Sequence, residues 1–278
     1  GVESTNLGIH SRNRQSVYLN YDLRAVGRFS LTAGTRYELF NTWSGQLSPT
    51  LSAGYWLSPH AKLRASVSRA YRAPSFTDLY YHDPANVGSP DLRPERAVGY
   101  EAGLDWNAGN GIDGEVTVFQ RRERDGIDFV RASSADIWRA RNFQRLRFTG
   151  IETAARWRYR PRTSVDIAYT GLHGAQDALG GLQSRYAFNY PVHQAVASWQ
   201  TVTRGEFAVR TRIGVTKRLG RDSYAVWDLN LAHYGNRIRP FVQLSNLSDA
   251  AYEEIPGVPL PGRGILGGVE VVLFTRHR

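Results

Sequence analysis

A two-residue alternation of apolar and polar side chains constrains this chain more than any other feature. It recurs in segments of about ten residues, each bounded by turn residues. In the first clear segment one parity holds Val17, Leu19, Tyr21 and Leu23, and the other holds Tyr18, Asn20, Asp22 and Arg24. Successive side chains of a strand point to opposite faces, so the alternation predicts strands with one apolar and one polar face.

Thirteen strands are predicted along the 278 residues. They lie near residues 15–25, 28–40, 46–57, 60–71, 96–107, 112–124, 143–159, 163–171, 189–202, 205–218, 223–234, 237–247 and 265–274. No apolar run approaches the roughly 18 residues that a membrane-spanning helix needs, which excludes a helical membrane protein.

The connections between these strands alternate in length. Short turns such as 26–27, 58–59 and 108–111 separate longer loops near 41–45, 72–95, 125–142, 172–188 and 248–264. Short periplasmic turns and long outer loops are typical of bacterial outer-membrane barrels. The sequence therefore predicts an all-β fold, an antiparallel transmembrane β-barrel. The competing interpretation is a soluble β-sandwich or propeller, whose strands also alternate.

Composition removes several classes of function. There is no cysteine, which excludes disulfides, thiolate metal sites and cysteine nucleophiles. No Gly-x-Ser-x-Gly element is present, so no enzyme is expected. The net charge of +10 comes almost wholly from arginine, since Lys62 and Lys217 are the only lysines. That charge has four possible explanations: binding of nucleic acid, of lipopolysaccharide phosphates or of an anionic ligand, and arginine-rich codon usage. For a barrel, no nucleic-acid partner is expected.

Short motifs at the predicted strand ends resemble those of one receptor family. Tyr71-Arg72-Ala73-Pro74 closes the fourth strand, and Pro90-Asp91-Leu92-Arg93-Pro94-Glu95 precedes the next. Leu244-Ser245-Asn246-Leu247 lies near the last hairpin, Pro261-Gly262-Arg263 precedes the final strand, and that strand closes on Phe274. In wording and order they resemble the barrel of TonB-dependent outer-membrane receptors.

The resemblance implies a barrel of 22 strands with an N-terminal plug inside it. We therefore expect residues 1–278 to be a single partial domain that supplies about the last 13 strands, with the plug and the TonB-binding motif outside this chain. Two observations agree: the chain opens at Gly1 without methionine or a secretory leader, and thirteen is an odd number for a bacterial barrel.

The resemblance also implies a function, namely TonB-energised uptake of a bulky nutrient across the outer membrane. The motif wording is most similar to the cobalamin receptors and their siderophore relatives, so a corrinoid, a ferric siderophore and haem are expected in that order. The implied partners are TonB, the ligand, and lipopolysaccharide with outer-membrane lipid; no cofactor is implied. The alternative is a passive porin or barrel adhesin, which lacks a plug.

The first long loop concentrates aromatic and polar side chains where a ligand-binding mouth is expected. The candidate ligand contacts are Tyr80, Tyr81, His82, Asp83, Asn86 and Asp91. For Tyr80 and Tyr81 the interfacial aromatic girdle is the favoured interpretation, and ligand contact is the alternative. His82 with Asp83, and the loop acids Asp125, Asp128 and Asp136, lack metal-ligand spacing, so no metal site is predicted and the three acids are expected to be solvated.

Overall fold

The computed structural model describes residues 2–142, 145–176, 180–185, 189–235, 237–255 and 257–272. Its strands are β1 (Val2–Ser4), β2 (Gly8–His10), β3 (Arg14–Val26), β4 (Phe29–Phe40), β5 (Gln46–Ser58), β6 (Ala61–Arg72), β7 (Asn86–Val87), β8 (Glu95–Gly109), β9 (Ile112–Arg124), β10 (Ile127–Arg131), β11 (Trp138–Asn142), β12 (Arg145–Arg160), β13 (Thr163–Gln176), β14 (Gln183–Ser184), β15 (Pro191–Val202), β16 (Phe207–Arg218), β17 (Ser223–His233), β18 (Ile238–Ser245), β19 (Glu253–Ile255), β20 (Val258–Pro259) and β21 (Gly264–Val271). The helix α1 spans Phe76–Tyr80.

One large antiparallel sheet contains all thirteen predicted strands. Its hydrogen-bonded order is β21-β18-β17-β16-β15-β13-β12-β9-β8-β6-β5-β4-β3. Each strand of this sheet is therefore paired with the strands that precede and follow it in the sheet along the chain. This is the meander expected of an up-and-down barrel wall. The all-β prediction is confirmed. Strands β3 and β21 end the order, so within the described residues the sheet is not closed.

The register shows that the alternation separates two faces in β3 to β6. Tyr21 pairs with Ala33, Ala33 with Leu51, and Leu51 with Val67, which makes a row of apolar side chains across four strands. The next row, one residue along each strand, is polar and consists of Asp22, Thr32, Ser52 and Ser66. Leu51 is 47% exposed, as a lipid-facing side chain is when no lipid covers it.

The same separation holds in β13 to β17. Ile167, Ala197, Ile213 and Trp227 form a continuous apolar row, and Asp166, Ser198, Arg212 and Asp228 form the adjacent polar row. Ion pairs join members of the polar face: Arg156 contacts Asp166, and Arg212 lies 3.7 Å from Asp228. A charged face of this kind is stable where it lines a wet lumen.

The long loops carry structure that the alternation did not predict. The chain divides into two compact units, of which one comprises Gly1–Leu104, Thr117–Gly150 and Leu172–Phe188, and the other comprises Asp105–Val116, Ile151–Gly171 and Asn189–Arg278. The first holds α1 and a small sheet of order β14-β10-β11-β7. The second holds the β19-β20 hairpin. In the part of the chain that the structure describes, no helix is long and apolar enough to span a membrane.

Candidate functional site: the loop assembly

The loops of the first unit fold around a core of their own. Leu79 of α1, Leu92, Phe129 of β10 and Ala140 of β11 are buried together. Trp43, from the loop between β4 and β5, packs on this core, and its indole N–H donates to the Leu92 carbonyl at 3.3 Å. Three loops, 41–45, 72–95 and 125–142, therefore meet in one packed body, and β14 of a fourth loop pairs with β10. We call these three loops together with β14 and Arg185 the loop assembly.

A capping box starts α1 directly after the Arg72-Ala73-Pro74 motif. The Ser75 hydroxyl accepts the Asp78 N–H at 3.0 Å, and the Asp78 carboxylate accepts the Ser75 N–H at 2.8 Å. Pro74 is fully buried, and its carbonyl accepts the Arg12 guanidinium at 2.7 Å. Ser75-x-x-Asp78 is a recognisable helix-start signal, so α1 was predictable from sequence. The strand alternation alone does not indicate it.

Arg72 and Glu95 join the two ends of the first long loop. The Arg72 guanidinium donates to both Glu95 oxygens, with 2.9 Å between Nη2 and Oε1, and its Nη1 donates to Asp78 at 2.9 Å. Glu95 also accepts the Ile127 N–H at 2.6 Å, which attaches the start of β10. The sequence placed Arg72 and Glu95 in the family motif. In the structure this ion pair connects the end of β6 to the start of β8, and we call it the clasp of the first long loop. Pro94 is buried beside Glu95, immediately before β8 begins.

Asp83 and Asn86 build a turn inside this loop. The Asp83 carboxylate accepts the backbone N–H groups of Ala85 at 2.7 Å and Asn86 at 2.6 Å, and also the Asn86 side-chain amide. Desolvation raises the pKa of the Asp83 carboxyl, but these hydrogen bonds outweigh it and hold that pKa below its usual value. Both side chains therefore order the loop through their own contacts.

The other predicted contacts have separate positions. Tyr80 ends α1, packs against the buried core and stacks on His10 with ring centroids 3.7 Å apart. The Tyr81 hydroxyl lies 3.5 Å from the Asn6 side-chain amide, and the His82 N–H donates to the Asn6 carbonyl at 2.9 Å. The His82 side chain and Asp91 are exposed. The two tyrosines thus belong to the loop assembly, where both are half-buried.

An arginine-flanked tryptophan is the chemically distinctive part of this loop assembly. The Arg131 guanidinium lies 4.3 Å from the Trp138 ring centroid and that of Arg185 lies 5.7 Å from it. Arg185 also donates to the Asn86 side-chain carbonyl. Asn86 is thus the one predicted contact that touches this cluster within the described residues. Sequence reasoning missed Arg131, Trp138 and Arg185 because β10 and β11, at five residues each, and β14, at two, are too short for alternation to identify.

The three loop acids differ in environment. Asp125 pairs with Arg93 at 2.6 Å, and Asp136 accepts the Ser133 N–H at 2.9 Å. Asp128 is 4% exposed and accepts the Ser184 hydroxyl at 2.6 Å, so the expectation of a solvated carboxylate is wrong for this residue. Its hydrogen bond connects β10 to β14. Across the described ranges no group of three or more His, Asp or Glu side chains is arranged to hold a metal ion.

The second unit contains the remaining family motif. Asn246 is buried, and its side chain joins Ala250 to Pro261. The Arg263 N–H, after Gly262, donates to Asp249 at 3.0 Å. Phe274 lies outside the described residues.

Gly88 is expected to tolerate no side chain. A Cβ at this position would lie 2.7 Å from the Leu79 carbonyl carbon and 2.8 Å from the Tyr80 nitrogen, both backbone atoms of α1. We expect Gly88→Ala to move the 80–88 segment off α1 and to cost about 1–3 kcal/mol of local stability, as overpacking does. Hydrogen exchange should show lost protection at the Gly88 N–H, which donates to the Tyr81 carbonyl at 2.7 Å.

Gly99→Ala is the matched control for that substitution. A Cβ at Gly99 would lie 3.5 Å from the Ser68 hydroxyl, an ordinary contact. Its exchange should match that of the unmodified protein. Equal protection in both variants would show that α1 and the segment around Gly88 are not packed as closely as the structure has them.

Comparison with known proteins agrees with the geometry. The profile of the family described as TonB dependent receptor-like, beta-barrel matches residues 3–247. The iron-regulated outer membrane virulence protein of Vibrio cholerae is 29% identical over 197 residues, which are 64% of this chain and 30% of that protein. The vitamin B12 transporter BtuB of Vibrio vulnificus is 30% identical over 93 residues, 34% of this chain and 14% of that protein.

The fold is also that of solved receptors. The siderophore receptor PirA from Acinetobacter baumannii superimposes with a TM-score of 0.74 at 16% identity, over 93% of this chain and 45% of that one. This chain thus spans less than half the length of the proteins it matches. The alternating strands, the ordered loops and the family profile together show that the chain belongs to the TonB-dependent receptors and that the protein is located in the bacterial outer membrane.

Proposed function

We propose that this chain is the ligand-capturing part of a receptor that takes up an anionic ferric chelate across the outer membrane. One observation carries the proposal: the long loops form a packed body in which the guanidinium groups of Arg131 and Arg185 lie 4.3 Å and 5.7 Å from the ring centroid of Trp138. An aromatic ring beside two guanidinium groups suits an anionic ligand that carries planar aromatic rings, such as the catecholate rings of a ferric tricatecholate. Because the loops are ordered beforehand, the ligand would lose little affinity to their ordering.

Two further points support the ferric chelate over a corrinoid. The relative named as iron-regulated matches 64% of this chain, whereas the vitamin B12 transporters match 34% to 50% of it. A corrinoid gains less than a polyanion from a pair of guanidinium groups. A corrinoid therefore becomes the second candidate ligand. The sequence motifs had placed the corrinoid before the ferric siderophore.

The energy source and the plug are part of the same proposal. Thirteen strands leave unpaired backbone on β3 and β21, and such edges are costly in lipid, so further strands of the same protein would complete the wall. A plug inside that wall, pulled by TonB, would release the captured ligand inward. No catalytic activity is proposed.

Uptake by the full-length protein tests this function. We expect a strain that lacks its own receptors to grow on a limiting ferric tricatecholate when it produces this protein, and to stop growing when TonB is deleted. Growth without TonB would identify a passive porin. Growth on limiting cobalamin alone would identify the corrinoid as the substrate.

The ligand surface is tested with a matched pair of variants. We expect Arg131→Gln with Trp138→Ala to weaken ligand binding about tenfold, since a desolvated cation–aromatic contact contributes ~1–2 kcal/mol. Arg139→Gln removes one charge from the opposite face of β11, where the side chain is exposed, and should leave affinity unchanged. Equal affinity of both variants in equilibrium titrations would exclude this surface as the binding site.

A further inference from the structure

Six arginines lie on one face of four consecutive strands, next to the long loops. They are Arg69 of β6, Arg96 of β8, Arg122 and Arg124 of β9, and Arg145 and Arg147 of β12. All six side chains are exposed, and each lies within three residues of the end of its strand. We call them the arginine belt.

Side-chain contacts assign the belt to the outward face of the sheet. The Arg122 guanidinium lies 5.8 Å from the Tyr100 ring, and Gln120 donates to the Thr149 hydroxyl at 3.4 Å. By alternation Arg96 shares the face of Tyr100, and Arg147 shares the face of Thr149.

Contacts on the other face confirm this assignment. Arg64 donates to the Thr117 hydroxyl, and Ser66 donates to Glu101 at 3.4 Å. These four residues have the opposite parity to the belt residues of their own strands, so they face the polar side of the sheet.

The belt lies beside the apolar band of the same strands. On its face, towards the middle of each strand, are Val67, Tyr100 and Val118, which are 37%, 45% and 52% exposed. Arg69 follows Val67 by two residues and Arg122 follows Val118 by four, which is about 7–13 Å along a strand. Where the apolar band meets lipid acyl chains, this spacing would bring the guanidinium groups to the headgroup region.

In the part of the chain that the structure describes, no acid neutralises the belt. Among the described residues none of its six guanidinium groups forms an ion pair, and the two neighbouring carboxylates are taken by other arginines: Glu123 by Arg121 at 2.7 Å and Asp125 by Arg93 at 2.6 Å. The belt lines a concavity of about 860 Å³. It therefore concentrates six uncompensated charges around an open depression.

Codon usage does not explain this placement. At the corresponding outward positions of the other nine strands, the described part of the chain carries one lysine, Lys217, and no arginine. Arginine elsewhere in the sheet, such as Arg156, Arg158 and Arg212, lies on the polar face and is paired with acids. The charge is thus concentrated where it would meet anionic headgroups.

We propose that the arginine belt is a binding site for the phosphate groups of a phosphorylated glycolipid of the outer leaflet, that is, the lipid A part of lipopolysaccharide. Guanidinium groups bind phosphate oxygens in pairs, and the apolar band below them receives the acyl chains. The site needs the outer-membrane location and shares no residue with the Arg131–Trp138 surface, so the proposal does not depend on the transported ligand.

Native mass spectrometry of the full-length protein in detergent tests the site, with bisphosphorylated lipid A as the probe. We expect Arg122→Gln with Arg147→Gln to weaken lipid A binding about tenfold or more, because two charge-assisted contacts are lost. Arg28→Gln with Arg204→Gln removes two exposed arginines near short turns and should change affinity less than about twofold. If the first double variant does not fold, Arg124→Gln with Arg145→Gln replaces it.

Three further results would support the site. Lipid A lacking both phosphates should bind at least about tenfold more weakly, millimolar inorganic phosphate should not displace the lipid, and bound lipid should persist in EDTA because the arginines contact it without a bridging cation. Equal binding of phosphorylated and dephosphorylated lipid, or by the belt variant and the unmodified protein, would overturn the proposal. Uptake of the ferric chelate by the belt variant should remain within about twofold, so this failure is separable from failure of the proposed transport.

Discussion

Asn246→Ala should be among the most destabilising single substitutions in this chain, at a cost of about 3 kcal/mol. The Asn246 side chain is 3% exposed and donates to the carbonyls of Ala250 at 2.9 Å and Pro261 at 3.2 Å. Its oxygen accepts the Ala250 N–H at 3.0 Å and the Ser248 hydroxyl at 3.1 Å. Alanine would remove these partners from the two carbonyls and from the Ala250 N–H in a place that water reaches poorly, whereas the Ser248 hydroxyl would keep the Ala225 carbonyl as its acceptor.

The backbone of Asn246 adds to the effect. Its φ of +48° lies in the left-handed region, which asparagine tolerates better than alanine does. Asn246→Gly removes that strain but not the lost hydrogen bonds, so it should be milder than Asn246→Ala by about 1 kcal/mol.

Denaturant unfolding in micelles and hydrogen exchange over 246–263 measure this prediction. Asn230→Ala, in the neighbouring strand β17 of the same unit, is the control and should cost less than about 1 kcal/mol. A loss of stability no larger than that of Asn230→Ala would mean that the Asn246 contacts do not support the loop.

Arg72→Ala should release the first long loop from the sheet. The substitution leaves the carboxylates of Glu95 and Asp78 facing each other without a cation, at 24% and 13% side-chain exposure. Because Arg72 itself is 48% exposed, solvent screens part of the interaction, and we expect a cost of about 2 kcal/mol. Limited proteolysis should cut within 73–94 in the variant, and affinity for the transported ligand should fall because the loop assembly is no longer held.

Two other arginine variants test whether the loss of the planar contact with Glu95 and Asp78 causes the effect of Arg72→Ala. Arg72→Lys keeps the charge but cannot contact both Glu95 oxygens and Asp78 with one planar group, so it should be intermediate. Arg93→Gln breaks a pair with Asp125 in which the arginine is 71% exposed, and should cost less than about 1 kcal/mol. Equal protease resistance of Arg72→Ala and Arg93→Gln would refute the role of Arg72 as the clasp.

Strands were predicted correctly where the apolar–polar alternation along one strand is sufficient to identify it. The predicted bounds for β4, 28–40, agree within one residue with the observed Phe29–Phe40, since alternation depends only on which way consecutive side chains point. The β13 strand runs to Gln176, five residues beyond the prediction, because the small side chains Gly171, Gly174 and Ala175 give no clear pattern there.

The candidate site was less predictable. Six ligand contacts were proposed from one loop, but Asp83 orders its own turn and Tyr80 packs into the loop core. Trp138 and Arg131 come from a different loop, and Trp138 reaches Asn86 only because β11 pairs with β7. No spacing rule in the sequence links these two segments.

The sequence by itself determined the barrel wall, its two faces, its alternating connections and its family, because side-chain periodicity and short motifs are local properties of the chain. Only the tertiary structure decided which loops pack together, which arginines have acids beside them, and which six remain uncompensated on the outward face. Those facts depend on strand register and on contacts between distant segments, and a one-dimensional pattern carries neither.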